Sequence, residues 1–351
     1  MLEKPDLPDQ AILACLQREF GLQVEEFSFL PIGADLNTAV FRVDAVGREV
    51  YFLKLRKGDF NEIAVQVHRL LSSAGISAVI PPIPTRVGQL WARLGEYAVV
   101  LSPFIQGKDG YEVKLSERQW VDFGSALRAV HTVRVPSELA ERIPGEDYSA
   151  RERDRVRRFQ QLVENQEFTD PEAREMARVM RREREVIDQA VGRAEELAAV
   201  LRLRWREYVL CHADIHPGNL LLPDETSLYI VDWDSPNFAP PERDLILIGG
   251  CATWNNPAEI ASFYQGYGSY EVDWAAMAYF RYERMIADFS AFGQQLLLST
   301  DGGADRVQGL AWFKSNFLPG HELELAREAD GMLTSNAGKS LPQTFSKSGK
   351  G

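Results

Sequence analysis

Cys211-His212-Ala213-Asp214-Ile215-His216-Pro217-Gly218-Asn219 is the stretch whose reading decides the fold. It lies between two apolar runs, Tyr208-Val209-Leu210 and Leu220-Leu221-Leu222. Pro217 and Gly218 make it turn-prone, and Asp214 and Asn219 share the loop five residues apart. A second acidic segment, Ile230-Val231-Asp232-Trp233-Asp234, follows a Pro223-Asp224-Glu225 turn. An Asp and an Asn on one loop are thereby set against an Asp at the end of the next hairpin strand. That layout suits phosphoryl transfer. One carboxylate, Asp214, orients a hydroxyl nucleophile, while the Asn219 amide oxygen and the Asp232 carboxylate hold magnesium against nucleotide phosphates.

His212, Asp214 and His216 alternate and could instead be read as metal ligands of a hydrolase. The chain has five histidines, the others being His68, His131 and His321. A His-rich catalytic site would need more ligands from these, and His68 and His131 fall inside helix-like patterns. His212 and His216 read better as residues that brace the loop.

With these residues in view, the segment resembles the aminoglycoside phosphotransferase family, the small-molecule branch of the protein-kinase-like fold. The resemblance rests on His-x-Asp-x-His-x-Gly-Asn followed by Val-Asp-Trp-Asp, and on Ala239-Pro240-Pro241-Glu242-Arg243-Asp244-Leu245. It extends over nearly the whole chain. Gly33-Ala34-Asp35-Leu36-Asn37, Phe263-Tyr264-Gln265-Gly266-Tyr267-Gly268 and Arg281-Tyr282-Glu283-Arg284 look most like its spectinomycin-phosphorylating members.

The resemblance implies an α+β, two-lobed protein-kinase-like fold. A small antiparallel-sheet N-lobe is expected over residues 1–103 and a larger, mainly helical C-lobe over 104–333. Residues 334–351, rich in Ser, Gly and Lys, read as a disordered tail. The implied activity is ATP-dependent, with magnesium as cofactor. It transfers the γ-phosphate to a hydroxyl of a small cationic molecule, an aminoglycoside or aminocyclitol antibiotic such as spectinomycin. Kinases of choline, homoserine or methylthioribose are the alternative within the fold, and a catalytically silent nucleotide-binding module is the alternative outside it. Trp-Asp after Asp232, where a protein kinase carries Phe-Gly, argues against protein phosphorylation.

Composition is compatible with this. A chain of 351 residues, 45% hydrophobic, can bury the core of two lobes. A formal charge of -12 opposes a nucleic-acid partner and attracts cationic ligands. Cys15, Cys211 and Cys251 form no CxxC pair. Neither a secretory signal nor a membrane span is read, so a cytoplasmic monomer or homodimer is expected.

Upstream, Pro8 to Phe20 reads as an amphipathic helix ended by Gly21, followed by strands Glu26–Pro31, Ala39–Val43 and Glu49–Leu55. The loop between the first two strands offers Gly33, Asn37 and Thr38 to phosphate oxygens. Lys54 sits among apolar strand residues, so its ammonium demands phosphate or carboxylate compensation. By resemblance Glu62, the one acid in the next helix, pairs with Lys54 and sets it on the phosphates. A strand pair is read over 86–101 around Gly95. In Ser102-Pro103-Phe104-Ile105-Gln106-Gly107 the backbone of Phe104 and Ile105 is expected to read an adenine edge, since Pro103 has no N–H.

Ser116-x-x-Gln119 reads as a capping box, and Met176 through Leu201 as one long helix. A further helix is expected to run through Leu245 to Ile248, with Glu242, Arg243 and Asp244 bracing the catalytic loop. Asp234, Glu283 and Asp288 are the acids expected to meet substrate amines. Trp254, Tyr267, Trp274 and Tyr282 are candidate ring-stacking partners, although core packing explains them equally well.

Overall fold

The computed structural model describes residues 3–33, 35, 37–204, 206–251 and 253–336. The chain forms two compact units, both discontinuous in sequence. Unit 1 holds Met1–Gln119, Thr132–Pro144 and His216–Pro236, and unit 2 holds Trp120–His131, Gly145–Ile215 and Asn237–Gly351.

Unit 1 opens with α1 (Asp9–Cys15), which widens into a π turn over Leu16–Phe20 and ends at Gly21 with φ 75°. Left-handed backbone at a helix end is where glycine is favoured. The sheet that follows is antiparallel throughout. It is built from β1 (Val24–Leu30), β2 (Thr38–Ala45), β3 (Val50–Lys57), β4 (Ala92–Leu94) and β5 (Tyr97–Pro103), in the order β1-β2-β3-β5-β4. The β4–β5 hairpin around Gly95 is shorter than expected, since residues 86–91 form no strand. Lys54 therefore lies in the central strand, opposite Val40 of β2 and Val100 of β5. Strand alternation puts Leu53 and Leu55 into the core with Phe41, Val43, Val99 and Leu101, all fully buried, and turns Lys54 to the other face.

Helix α2 (Glu62–Ser73) starts at Asn61, whose side chain accepts the Ile63 N–H at 3.1 Å. A second sheet joins β6 (Lys108–Asp109), β8 (Leu220–Leu222) and β9 (Tyr229–Ile230). The capping box forms as read. Gln119 Oε1 accepts the Ser116 N–H at 2.9 Å, and the Gln119 N–H reaches Ser116 Oγ at 3.2 Å. It opens α3 (Glu117–Thr132), and the short α4 (Ser137–Ala140) follows.

Unit 2 is helical: α5 (Arg151–Asn165), α6 (Pro171–Arg182), α7 (Arg184–Arg202), α8 (Glu242–Leu245), α9 (Pro257–Tyr267), α10 (Trp274–Leu297), α11 (Gly303–Ser315) and α12 (Glu322–Asn336). A two-stranded ribbon, β7 (Val209–Cys211) with β10 (Asn237–Ala239), accompanies them. Nearly every turn of α10 is buried, and α5, α6, α7, α8, α11 and α12 all pack on it.

Two expected helices are corrected. The run from Met176 to Leu201 breaks at Glu183 into α6 and α7, so its apolar stripe serves two directions. The helix expected through Ile248 is a single turn, Glu242–Leu245. The expected tail lies, from Ala337 onward, outside the described residues.

Candidate active site

The motif loop is built from both ends. In unit 2, β7 delivers Cys211 and the fully buried His212. The next residue, Ala213, adopts φ 71°, a conformation that costs an L-residue about 1–2 kcal/mol. Asp244 compensates. Its Oδ2 accepts the His212 N–H at 2.8 Å and its Oδ1 the Ala213 N–H at 2.7 Å. His131 Nε2 lies 3.1 Å from Asp244 Oδ2, and His131 Nδ1 lies 2.7 Å from the Tyr267 hydroxyl. Burial raises the Asp244 pKa, but His131 and the peptide N–H donors outweigh it, and the carboxyl stays below its ordinary value. The bracing expected of this segment is thus carried by Asp244, through the N–H of the strained residue and that of the residue before it.

His131, Cys211 and Asp244 lie close enough to suggest a metal site. They do not fit one. Both Asp244 oxygens already accept peptide N–H groups, and burial pushes the Cys211 thiol well above its ordinary pKa.

The motif histidines act on the loop backbone. His212 Nδ1 accepts the Asp214 N–H at 3.2 Å, and His216 Nδ1 the Gly218 N–H at 3.1 Å. Asp214, half-exposed, meets Arg284 of α10.

In unit 1, a 3₁₀ turn over Pro217–Asn219 leads into β8. The Asn219 carbonyl accepts the Val231 N–H at 2.9 Å, extending the β8–β9 pairing and setting Asn219 beside the residue before Asp232. Asp232 takes φ 64°, and the next side chain, Trp233, is buried and donates from Nε1 to the Ile230 carbonyl at 2.9 Å. Anchored so, Asp232 and Asp234 both reach Lys54. Each Oδ1 is 2.7 Å from the ammonium. Burial lowers the Lys54 pKa, but the two carboxylates outweigh it and hold the amine protonated.

The expected Lys54–Glu62 pair is not formed. Glu62 is exposed at the first position of α2, a favourable place for a carboxylate, and it binds Arg142 instead. Asp35 organises the loop of Gly33, Asn37 and Thr38. It accepts the Asn37 N–H at 2.9 Å and the Thr38 hydroxyl at 2.8 Å, and it pairs with Arg56. Gly33 takes φ 89°. The Phe104 N–H, expected to meet an adenine edge, donates to the Val50 carbonyl at 2.9 Å and so prolongs the sheet. Ile105 follows it, half-buried.

Of the acids expected to meet substrate, Asp234 is on Lys54, Glu283 on the buried Arg153, and Asp288 lies 3.6 Å from Arg284. Trp254, Tyr267 and Tyr282 are buried core, with Trp254 edge-on to Trp120 and Tyr267 stacked on Phe263. The motif reading gave no role to Arg284, which lies far from Asp214 in sequence, on a helix read mainly for its aromatics.

Residues 28–280 match the phosphotransferase enzyme family. The chain belongs to this family. Spectinomycin phosphotransferase APH(9)-Ia, solved with ADP and spectinomycin, is 33% identical, with a TM-score of 0.85 over 93% of this chain and 99% of its own. The fold is therefore the kinase-like one of the aminoglycoside phosphotransferases. Amicoumacin kinase hAmiN shares the fold, with a TM-score of 0.59 and 16% identity over 92% of this chain and 94% of its own. Protein StrN of Streptomyces griseus is 26% identical over 209 residues, 58% of this chain; the aligned stretch spans 65% of the length of StrN. Family membership and the 33% identity to a phosphotransferase solved with ADP support ATP-dependent phosphoryl transfer to a small molecule. Among the described residues no helix is long and apolar enough to cross a membrane.

Proposed function

We propose that this protein transfers the γ-phosphate of ATP to a hydroxyl of a small cationic antibiotic, with spectinomycin the first candidate. One observation carries the reading: a lysine of the central strand is held at 2.7 Å by each of two acids, Asp232 and Asp234, beside Asn219. Two carboxylates and one ammonium leave a net negative charge there, and the donors are hard oxygens. That set fits magnesium. Asn219 and Asp232 hold the ion, and when bound it neutralises charge on the phosphate oxygens.

Lys54 supplies positive charge to the phosphates. Asp214 accepts the proton of the substrate hydroxyl, and its loop is held stiffly by Asp244 and the two histidines. Catalysis of this sort is mostly positioning and charge stabilisation. The acidic chain, formally -12, favours approach of a cationic acceptor. The 33% identity to an enzyme solved with spectinomycin supports that acceptor over others.

The test is ADP release with ATP and magnesium over spectinomycin, other aminoglycosides, and choline-type or sugar alcohols. Turnover on spectinomycin is expected, with Asp214→Ala reducing it at least about a thousandfold while ATP still binds in calorimetry. Turnover confined to metabolite alcohols overturns the antibiotic reading. ATP binding without turnover on any acceptor overturns the enzyme reading.

A further inference from the structure

The acid assigned to proton transfer is paired with a cation. Asp214 Oδ1 accepts from Nη1 of Arg284, at the middle of α10. The Arg284 side chain is 25% exposed, and its Nε lies 3.6 Å from Asp288 Oδ1, one turn further along the helix. Asn316 lowers the Asp288 pKa in turn. From the first turn of α12, the Glu322 carboxylate acts on both Arg284 and Asp288, and His321 Nδ1 lies 3.8 Å from Glu322. From its own loop, the Asp214 N–H is held by His212. Two acids thus pair with one guanidinium, and a third, Glu322, acts on it electrostatically from α12.

Asp288 draws the guanidinium by charge on one side, at 3.6 Å, while its planar fork offers a donor to the other side, unlike a swinging lysine. A carboxylate that accepts from it loses rotational freedom and keeps its charge among other acids. Both effects bear on a general base, which must be aimed and unprotonated when the hydroxyl arrives. Resting on the reading of Asp214 as proton acceptor, we propose that Arg284 is a positioning residue for that step, fixing the orientation of the Asp214 carboxylate and keeping it a proton acceptor.

The test compares the wild-type protein with Arg284→Gln and Arg284→Lys. Asp214 is titrated by ¹³C-aspartate NMR, with Asp214→Asn assigning the signal; this arm needs no substrate. Phosphate transfer to spectinomycin is followed in parallel across pH at saturating ATP and magnesium. In Arg284→Gln the Asp214 titration and the acid limb of kcat/KM both move up by about one to two pH units. At about pH 8, where the carboxylate is charged in both proteins, kcat falls about tenfold from lost aim, and it falls further toward about pH 6. ATP KM stays within about twofold. Arg284→Lys falls between, because one ammonium cannot span Asp214 and Asp288 as the planar fork does. If Arg284→Gln does not fold, the Lys variant decides by the same limb.

An unmoved Asp214 titration, or a loss of activity equal at every pH, reduces Arg284 to a structural tie and overturns the proposal. Asp214→Asn turning over at the wild-type rate overturns the proton-acceptor reading itself, and the catalytic role of Arg284 with it, whatever the titration shows.

Discussion

At the residue scale, the motif loop depends on a carboxylate that lies outside it. Asp244 is fully buried and accepts two successive peptide N–H groups, those of His212 and Ala213. Asparagine has the same shape but one acceptor oxygen, and its amino group would face a peptide donor. Asp244→Asn is expected to cost about 2–4 kcal/mol in urea unfolding, because a buried donor loses its partner and His131 loses an anion. A cost under about 1 kcal/mol would show that the loop holds Ala213 at φ 71° without help. The sequence pointed to Asp244 as a brace but not to its targets. A carboxylate thirty-one positions from Ala213 acquires a role only when the chain folds back.

At the element scale, α3 and α9 touch through glycines. A Cβ on Gly124 would run into the Phe263 carbonyl, and one on Gly266 into the Val121 carbonyl. These obstacles are backbone and cannot rotate aside. Gly124→Ala is expected to destabilise by about 3 kcal/mol, since the helices must part. Gly192→Ala in α7, where an added methyl meets nothing within 4 Å, is expected to gain up to about 1 kcal/mol from helix propensity. Thermal melts of the pair check both. A Gly124→Ala protein as stable as the wild type would mean that this contact is loose. Both glycines look alike in the sequence, as isolated breaks in helical patterns, and only the neighbouring backbone separates them. The α6–α7 break at Glu183 was invisible for the same kind of reason. No glycine or proline marks it, and the apolar spacing continues across it.

At the scale of the whole molecule, two partly buried acids of unit 2 give stability a pH dependence. Burial pushes Glu283 up to about 7, with Arg153 opposing the shift. Burial likewise pushes Asp288 up to about 6, with Arg284 opposing it. Their ordinary values are 4.5 and 3.8. In that window the folded chain holds protons that the unfolded chain has released. The stability these groups contribute is complete below their ordinary values and is lost as the pH rises through about 6 to 7. Urea midpoints at constant ionic strength are expected to decline as the pH rises from these ordinary values to about 7, and Asp288→Asn should flatten the part of the decline below about 6. An unchanged slope in that variant would remove Asp288 from the account.

What the amino-acid sequence determined by itself was local: the motif loop with Asp214 and Asn219, the acids at Asp232 and Asp234, a strand lysine needing compensation, and the capping box at Ser116. Each is a matter of residue type at short spacing, where a few neighbouring side chains set the chemistry. Tertiary structure decided the pairings. Lys54 took Asp232 and Asp234 and not Glu62, the Phe104 N–H went to Val50, and Arg284 reached Asp214. Charged and polar groups bind whichever partner the folded backbone presents at hydrogen-bond distance. That choice depends on long-range packing, which residue spacing does not encode.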